Sequence, residues 1–448
     1  MQPEQFRRKI VAFREETSGS VVLLFAFAVV GIALIVGLTL DYGRALSMKG
    51  TLKTAADAAA LAALSTAQTD YANNVNAAQM ILDAQAAGQR AFVANAGNYY
   101  SNLSQPPTVT VQQSGLVITA DVSFQAKSPN LFGALANVAS MNVAQTGAHS
   151  TKATLTLPSY YDFYLLLDNT PSMGIGATQT DINNLISLTS HIPNNPNEAS
   201  CGFACHVSSQ SASVDYYSIA RANNVTLRID LLRSATQNLM DMAASIEAVN
   251  NVSNQYQFAV YSFGATATAA QTNAIANVAP LSADTSAIKT QVQSLDLMSV
   301  DFQNQYSDED TSFDTAVPAL NNVIPSPGDG SSANFRKKFV IIITDGLTDE
   351  KLNGARAIKP IDPNLCTAIK NRGVQIATLY TTYYPLPTNA FYNQKVAQYQ
   401  SPTDQIGAAV QACASSPDLY QAVGIGGNVS SALANIFQKL LAEGHLTQ

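Results

Sequence analysis

The chain has 448 residues, of which 47% are hydrophobic and only 12% are charged, with a formal net charge of −7. This length allows two or three domains, and a share of charged residues well below the usual ~25% is typical of proteins outside the cytoplasm. The acidic balance, without a compensating basic cluster, argues against a nucleic-acid partner.

The N-terminal region predicts a membrane anchor. Residues 1–16 are rich in Arg and Lys and are predicted to form a short cytoplasmic N-terminus, whereas residues 17–40 contain no charged side chain. About 24 residues are enough to cross a ~30 Å hydrocarbon core as a helix. Because the basic flank comes first, everything after Asp41 is expected in the periplasm or at the cell exterior. A cleaved signal peptide, which has a shorter apolar stretch, and a buried helix of a soluble domain are the alternatives.

Residues 41–150 predict a small α+β stalk that resembles a pilin. The segment Leu52–Gln68 is dominated by Ala, which favours a helix. Thr108–Gln112 and Leu116–Phe124 are typical of two strands joined in a hairpin.

The anchor that begins at Gly19, the step Asp41-Tyr42-Gly43 and the run AADAAALAAL together resemble the TadE/TadG-like proteins of tight-adherence (Flp) pilus assembly. The resemblance covers residues 17–68 and implies a membrane-anchored protein whose partners are pilus or secretion-system components. Prepilin-type processing sites carry Glu five residues into the apolar stretch, where this chain has Leu24. The sequence therefore favours an uncleaved, TadG-like anchor.

Residues 155–448 alternate between apolar strands and helices. This alternation predicts the α/β class, with a doubly wound, mostly parallel, Rossmann-like sheet and an insertion at about 173–224. The predicted strands are Phe163–Leu167, Tyr256–Phe263, Phe339–Thr344 and Val374–Tyr380, and the clearest helices are Leu227–Ala248 and Asn428–Ala442.

Oxygen-bearing side chains follow two of these strands. Asp168, Thr170 and Ser172 come directly after the first strand, and Asp345-Gly346 follows the third. Ligand sites of open α/β sheets lie beyond the carboxyl ends of the strands, and hydroxyl and carboxylate oxygens suit hard divalent cations. The plainer alternatives are that Asp168 and Ser172 cap a helix and that Asp345-Gly346 is a turn.

This pattern resembles the metal-ion-dependent adhesion site of von Willebrand factor A domains, over residues 159–442. The resemblance implies a cation held by Asp168, Thr170, Ser172, Thr311 and Asp345, with Mg²⁺ first and Mn²⁺ or Ca²⁺ as alternatives. The residues before Thr311 depart from the family pattern, so Thr315 is the alternative ligand. The resemblance also implies binding of a partner protein whose acidic side chain completes the coordination of the cation.

The four cysteines predict two disulfides, because an oxidising compartment favours pairing. Cys201 and Cys205 bracket a tight loop, and Cys366 and Cys413 flank a late strand, so the expected bonds are Cys201–Cys205 and Cys366–Cys413. The loop CGFACH also leaves two alternatives open. One is zinc bound by His191, Cys201, Cys205 and His206, and the other is haem attachment, which normally needs a two-residue spacing.

The sequence contains no phosphate-binding loop, no HExxH motif and no GxSxG elbow, which argues against an enzyme. The prediction is therefore a membrane-anchored protein of pilus assembly or anchoring that acts by metal-dependent protein binding. A surface adhesin for host or matrix ligands, independent of a pilus, is the first alternative. A metal-dependent hydrolase is the second.

Overall fold

The computed structural model describes residues 20–446, except 74, 115–116, 144–148, 193–199, 251, 265–273, 303–310, 353–354 and 387–388. It divides into two compact units, Met1–Leu157 and Pro158–Gln448. Each unit is described by itself below.

The first unit contains two long helices. Helix α1, Ser20–Ala72, is a single helix that joins the apolar N-terminal stretch to the Ala-rich stretch. By length and composition it is able to cross a membrane, and the large apolar side chains of its first half are exposed. In its second half most of the alanines are buried, and Gly88 of α2, Ala77–Ala96, packs closely against Ala59 and Ala63. Small side chains thus allow the two helices to approach each other.

The strands of this unit form two small antiparallel sheets. The larger has the order β1-β2-β5, Thr108–Ser114, Val117–Phe124 and His149–Thr156, and contains the predicted hairpin. The smaller pairs β3, Lys127–Pro129, with β4, Ser140–Asn142. Short 3₁₀ helices span Gly97–Asn102 and Gly133–Ala136.

A six-stranded sheet organises the second unit. Its order is β15-β14-β11-β6-β8-β9, and all neighbours are parallel except β8 and β9. The strands are β6 Tyr161–Leu167, β8 Tyr256–Ser262, β9 Ala276–Ser282, β11 Lys337–Thr344, β14 Gln375–Thr381 and β15 Tyr420–Val423. Every residue of β6 is buried, as expected of a strand covered on both faces. The predicted α/β class and mostly parallel sheet are therefore confirmed.

Helices cover both faces of this sheet. They are α3 Gln179–Thr189, α4 Tyr216–Ala222, α5 Arg228–Asn250, α6 Thr285–Val292, α7 Phe313–Val323, α8 Asn364–Lys370, α9 Ala397–Gln400, α10 Gln405–Cys413 and α11 Val429–Leu446. Short 3₁₀ turns lie at Pro171–Gly174 and Pro417–Leu419, and a π turn lies at Tyr392–Val396. On one face Phe163 stacks on Phe258 and Phe339 at centroid distances of 5.1 and 5.3 Å.

Several elements were not predicted. The edge strands β9 and β15 carry too few consecutive apolar residues to stand out, and a small sheet joins β7, His206–Val207, to β10, Ser299–Val300. The antiparallel hairpin β12–β13, Leu347–Leu352 and Ala355–Pro360, follows Asp345 directly.

The strand order places a topological switch point between β6 and β11. From β6 the chain continues to β8 and β9 on one side, and β11, β14 and β15 occupy the other side. Ligands of doubly wound sheets bind at such a point, beyond the carboxyl ends of the two central strands. Asp168 and Asp345 are the first residues after β6 and β11, respectively.

Candidate functional site

Asp168 is held at the end of β6 by backbone and hydroxyl donors. Its own N–H donates to the carbonyl of Ile343 at 2.9 Å, which extends the pairing of β6 with β11 by one residue. One carboxylate oxygen accepts from the N–H and the hydroxyl of Thr170, at 3.0 and 2.7 Å. The other accepts from the hydroxyl of Thr344 at 2.6 Å. These contacts orient a carboxylate that is completely buried.

The next two polar residues turn back towards this carboxylate. Thr170 precedes the 3₁₀ turn Pro171–Gly174, and its Oγ1 lies 3.1 Å from the Oγ of Ser172. The backbone here is closely approached by Gly264, where a Cβ would lie 2.7 Å from the Thr170 nitrogen. The spacing of two residues therefore brings a carboxylate and two hydroxyls together.

Asp345 reaches the same place from β11. The turn after it requires Gly346, which has φ +79° and whose added Cβ would lie 2.5 Å from Val410 and 2.8 Å from Ile406. Asp345 is fully buried, and its Oδ2 has no hydrogen-bond partner in the structure. The hydroxyls of Ser172 and Tyr383 lie beside this carboxylate and favour its charged form, but neither meets the geometry of a hydrogen bond to Oδ2.

Burial is the largest influence on the pKa values of Asp168 and Asp345. It raises the pKa of Asp345 to about 7, with a further contribution from the neighbouring charge of Asp168. Burial also raises the pKa of Asp168, against the opposing effect of its hydroxyl and backbone donors. A bound cation would reverse this balance, because its charge favours both ionised carboxylates.

Arg228 is a member of the site that sequence reasoning missed. It begins α5, is buried, and donates through Nη2 to the carbonyl oxygen of Thr382. Its Nη1 is buried without a hydrogen-bond partner, and its guanidinium lies 5.5 Å from the ring centroid of Tyr383. Its charge acts on Asp345 and Asp168. An arginine at a helix start carries no motif, so the sequence offered no signal for this role.

The structure places Thr311 beside the strand that follows Asp345. Its N–H donates to the carbonyl of Asp349 on β12 at 2.9 Å, and its carbonyl accepts from the N–H of Asp349 at 2.8 Å. Thr311 is buried, whereas Thr315 is exposed on α7 and its hydroxyl donates to the carbonyl of Ser312. The roles of Thr311 and of the alternative Thr315 as ligands stay predictions. Residues 308–310 lie outside the described residues.

The residues that converge fit a hard divalent cation. They offer two buried carboxylates and two hydroxyls, and the oxygen of Asp345 without a partner is an acceptor that a cation would satisfy. Within the described part of the chain, no group of three or more His, Cys, Asp or Glu side chains is placed to hold a metal ion, so the proposed cation would depend on the hydroxyls as well as on the two carboxylates. The structure therefore does not assemble His191, Cys201, Cys205 and His206 into the alternative zinc site. The Nδ1 of His206 instead lies 2.9 Å from the Oδ2 of Asp215.

The described residues contain one disulfide, Cys366–Cys413, as predicted. It joins α8 to the end of α10, with a Cα–Cα distance of 5.4 Å, and both cysteines are fully buried. The bond Cys201–Cys205 stays a prediction. Cys201 is buried and Cys205 is half-buried, and the N–H of Phe203 donates to the sulfur of Cys201.

Comparison with known families matches the N-terminal part of the chain. Residues 19–86 match the model of the family described as putative Flp pilus-assembly TadE/G-like. This segment is TadE/G-like. Within it, the apolar stretch and the Ala-rich stretch belong to one continuous helix. A search of curated proteins finds no match to the sequence.

Comparison with solved structures finds proteins similar to a larger part of the chain. Proximal thread matrix protein 1 from the mussel byssus is 13% identical, with a TM-score of 0.34, over 64% of this chain and 48% of that protein. The pilus adhesin SpaC from Lactobacillus rhamnosus GG is 11% identical, with a TM-score of 0.35, over 75% of this chain and 34% of SpaC. The vWF domain of the type V pili tip protein Mfa5 from Porphyromonas gingivalis is 9% identical, with a TM-score of 0.36, over 64% of this chain and 97% of that domain.

The chain therefore spans about half of the mussel protein and about a third of SpaC.

Proposed function

We propose that the chain is an envelope-anchored component of tight-adherence pilus assembly that binds a partner protein through a divalent cation. The observation that carries this proposal is the convergence of Asp168 and Asp345 at the switch point, where a buried carboxylate oxygen has no partner. The TadE/G-like match supports the role in pilus assembly. The exposed apolar half of α1 supports attachment to a membrane.

Asp168, Thr170, Ser172 and Asp345 would hold the cation, and Thr311 is the further proposed ligand. The two carboxylates and Arg228 together leave one net negative charge at the site. A divalent cation would convert this to one net positive charge, which attracts an acidic side chain of the partner. Binding is proposed rather than hydrolysis, because both carboxylates are prospective ligands and neither is left to act as a general base.

The first test is cation binding to the purified full chain in detergent. After treatment with chelator, isothermal titration calorimetry with Mg²⁺, Mn²⁺ and Ca²⁺ is expected to detect one site. Thermal unfolding is expected to shift upward with the cation, because a ligand at a hundredfold excess over Kd stabilises the native state by about 2.7 kcal/mol. Asp168→Asn keeps an acceptor for the Thr170 N–H but removes a charge, so we expect it to lose the binding and the shift.

Asp284→Ala is the matched control. Asp284 caps helix α6 of the same unit by accepting from the N–H of Ala287 at 2.9 Å, so its loss tests whether removing any capping carboxylate has the same effect. We expect Asp284→Ala to bind the cation normally. If none of the three cations binds the unaltered chain at millimolar concentration, the metal-dependent mechanism is wrong.

A further inference from the structure

A loop of the first unit is attached to the anchor helix at the point where that helix leaves its apolar stretch. The loop, Leu131–Val138, has the sequence LFGALANV. Asp41 of α1 is buried beneath it, and its carboxylate accepts from the N–H groups of Leu131, Phe132 and Gly133 at 2.9, 2.9 and 2.8 Å. Three charge-assisted hydrogen bonds to one carboxylate fix the position of the loop along the helix.

The loop lies partly on the membrane side of Asp41. The side chain of Phe132 packs against Gly37, so closely that a Cβ at residue 37 would collide with it. Gly37 precedes Asp41 by one helical turn, about 6 Å along the axis. It belongs to the stretch without charges, residues 17–40. The loop therefore extends beside the outer end of the proposed membrane span.

The loop exposes large apolar side chains at this level. Leu131, Leu135 and Val138 have exposed fractions of 64%, 77% and 51%. On α1, Leu38 and Leu40 are also exposed, and they lie in sequence between Gly37 and Asp41, the two residues that contact the loop. The sequence contains no Asp, Glu, Lys or Arg from residue 128 to residue 148. Transfer of apolar side chains of this size from water into an apolar phase is favourable, so this surface favours contact with acyl chains over water.

The backbone of the loop is already largely hydrogen-bonded within the protein. The N–H groups of Leu135, Asn137 and Val138 donate to carbonyls of the loop at 2.9–3.1 Å, and the side chain of Asn130 donates to the carbonyl of Val138 at 3.0 Å. The carboxylate of Asp41 accepts from the first three N–H groups. Irregular backbone with unsatisfied polar groups is excluded from the hydrocarbon core. Because most N–H groups of this loop are satisfied, its backbone suits the edge of the core, from which the side chains reach the acyl chains.

We propose that the Leu131–Val138 loop is a second membrane contact, which inserts its apolar side chains among the lipids beside the outer end of α1. Its partner is the acyl-chain region of the bilayer. This inference rests on the proposed membrane anchor. Two contacts on one leaflet restrain the first unit from rotating about the axis of α1, which a single helix does not do.

The absence of tryptophan from the sequence provides a clean probe. Three single-tryptophan proteins are made in the full chain: Val29→Trp within the span, Leu135→Trp in the loop, and Leu61→Trp as the control. Leu61 is an exposed leucine of α1, about 30 Å along the axis from Asp41. Each protein is reconstituted at low density into phosphatidylcholine vesicles, with and without brominated acyl chains, which quench tryptophan on contact.

We expect quenching of emission for Val29→Trp and Leu135→Trp, with a blue-shifted maximum, and none for Leu61→Trp. Quenching of Val29→Trp without quenching of Leu135→Trp would overturn the loop proposal and leave the anchor intact. A blue shift for Leu135→Trp without quenching would also overturn it, since a protein surface would then cover the loop. If Val29→Trp is not quenched, the anchor itself is wrong and the loop proposal falls with it.

Discussion

At the scale of single residues, Arg228 sets the charge of the candidate metal site. It lies buried beside two carboxylates and has one guanidinium nitrogen without a hydrogen-bond partner. In the absence of a cation it partly compensates for the repulsion between Asp168 and Asp345. A cation bound at the proposed site would be repelled by Arg228. We therefore expect Arg228 to limit the affinity of the site for a cation.

Replacing Arg228 by Met is expected to tighten cation binding roughly tenfold, because removing a buried like charge that acts on both carboxylates is worth about 1 kcal/mol or more at the effective dielectric constant of a protein. The melting temperature in chelator is expected to fall, since the carboxylates lose their compensating charge. Calorimetric titration and thermal unfolding measure the two effects. Arg221→Met is the control, because Arg221 pairs with Asp230 and Asp296 instead. Unchanged or weaker binding by Arg228→Met would contradict this role.

The raised pKa of Asp345 predicts how the stability of the protein depends on pH. Its pKa in the folded chain is raised from 3.8 to about 7, so the native state binds more protons than the unfolded state across that interval. In chelator, its contribution to stability is therefore present at acidic pH and is lost as the pH rises from about 4 to about 7. Excess cation is expected to oppose this loss, because the cation favours the ionised carboxylates.

Urea unfolding in chelator at several pH values measures this dependence. We expect Asp345→Asn to flatten it, because the amide does not titrate. Asp284→Ala again serves as the control and should leave the slope as it is in the unaltered chain. A slope that Asp345→Asn does not change would show that other groups cause the pH dependence.

At the scale of elements, the disulfide Cys366–Cys413 joins α8, which precedes β14 in the chain, to α10, which follows it. Its partners are separated by 47 residues, so the bond restricts a long loop of the unfolded chain. In the chain-entropy model such a bond contributes about 2–4 kcal/mol to stability.

Removing this bond with Cys366→Ala and Cys413→Ala is expected to lower the free energy of unfolding by about that amount. The double variant Cys201→Ser with Cys205→Ser is the comparison. It should lower the free energy of unfolding less, because a bond between Cys201 and Cys205 would close only a very short loop. Urea unfolding measures both, and peptide mapping without reductant should recover the Cys366–Cys413 peptide. Finding free thiols at both positions would contradict the structure.

At the scale of the whole molecule, the proposed topology has a cytoplasmic N-terminus and the remainder of the chain outside the inner membrane. It follows from the basic residues before the apolar stretch. A reporter that is active only in the periplasm, fused after Gln448, is expected to be active, and the full-length protein should remain in the membrane fraction. Replacing Arg7, Arg8, Lys9 and Arg14 by Glu should reduce the reporter activity. Recovery of a soluble chain that starts near Ser20 or Asp41 would refute the retained anchor.

The sequence by itself determined the elements whose signal is local. The apolar stretch before Asp41, the Ala-rich helix and the buried strands β6 and β11 are each defined by the residues within them. So is the grouping of Asp168, Thr170 and Ser172, because a two-residue spacing keeps each of the three side chains within hydrogen-bonding distance of the next along the chain.

Only the tertiary structure decided what depends on distant contacts. The approach of Arg228 to Asp345 and the pairing of Thr311 with Asp349 join segments far apart in the chain, and neither has a sequence pattern. The attachment of Leu131 to Asp41 spans 90 residues and depends on unpaired backbone N–H groups, which every sequence contains and only a fold brings to one carboxylate. The edge strands β9 and β15 could not be predicted for the same reason, because they depend on pairing with neighbouring strands rather than on apolar residues of their own.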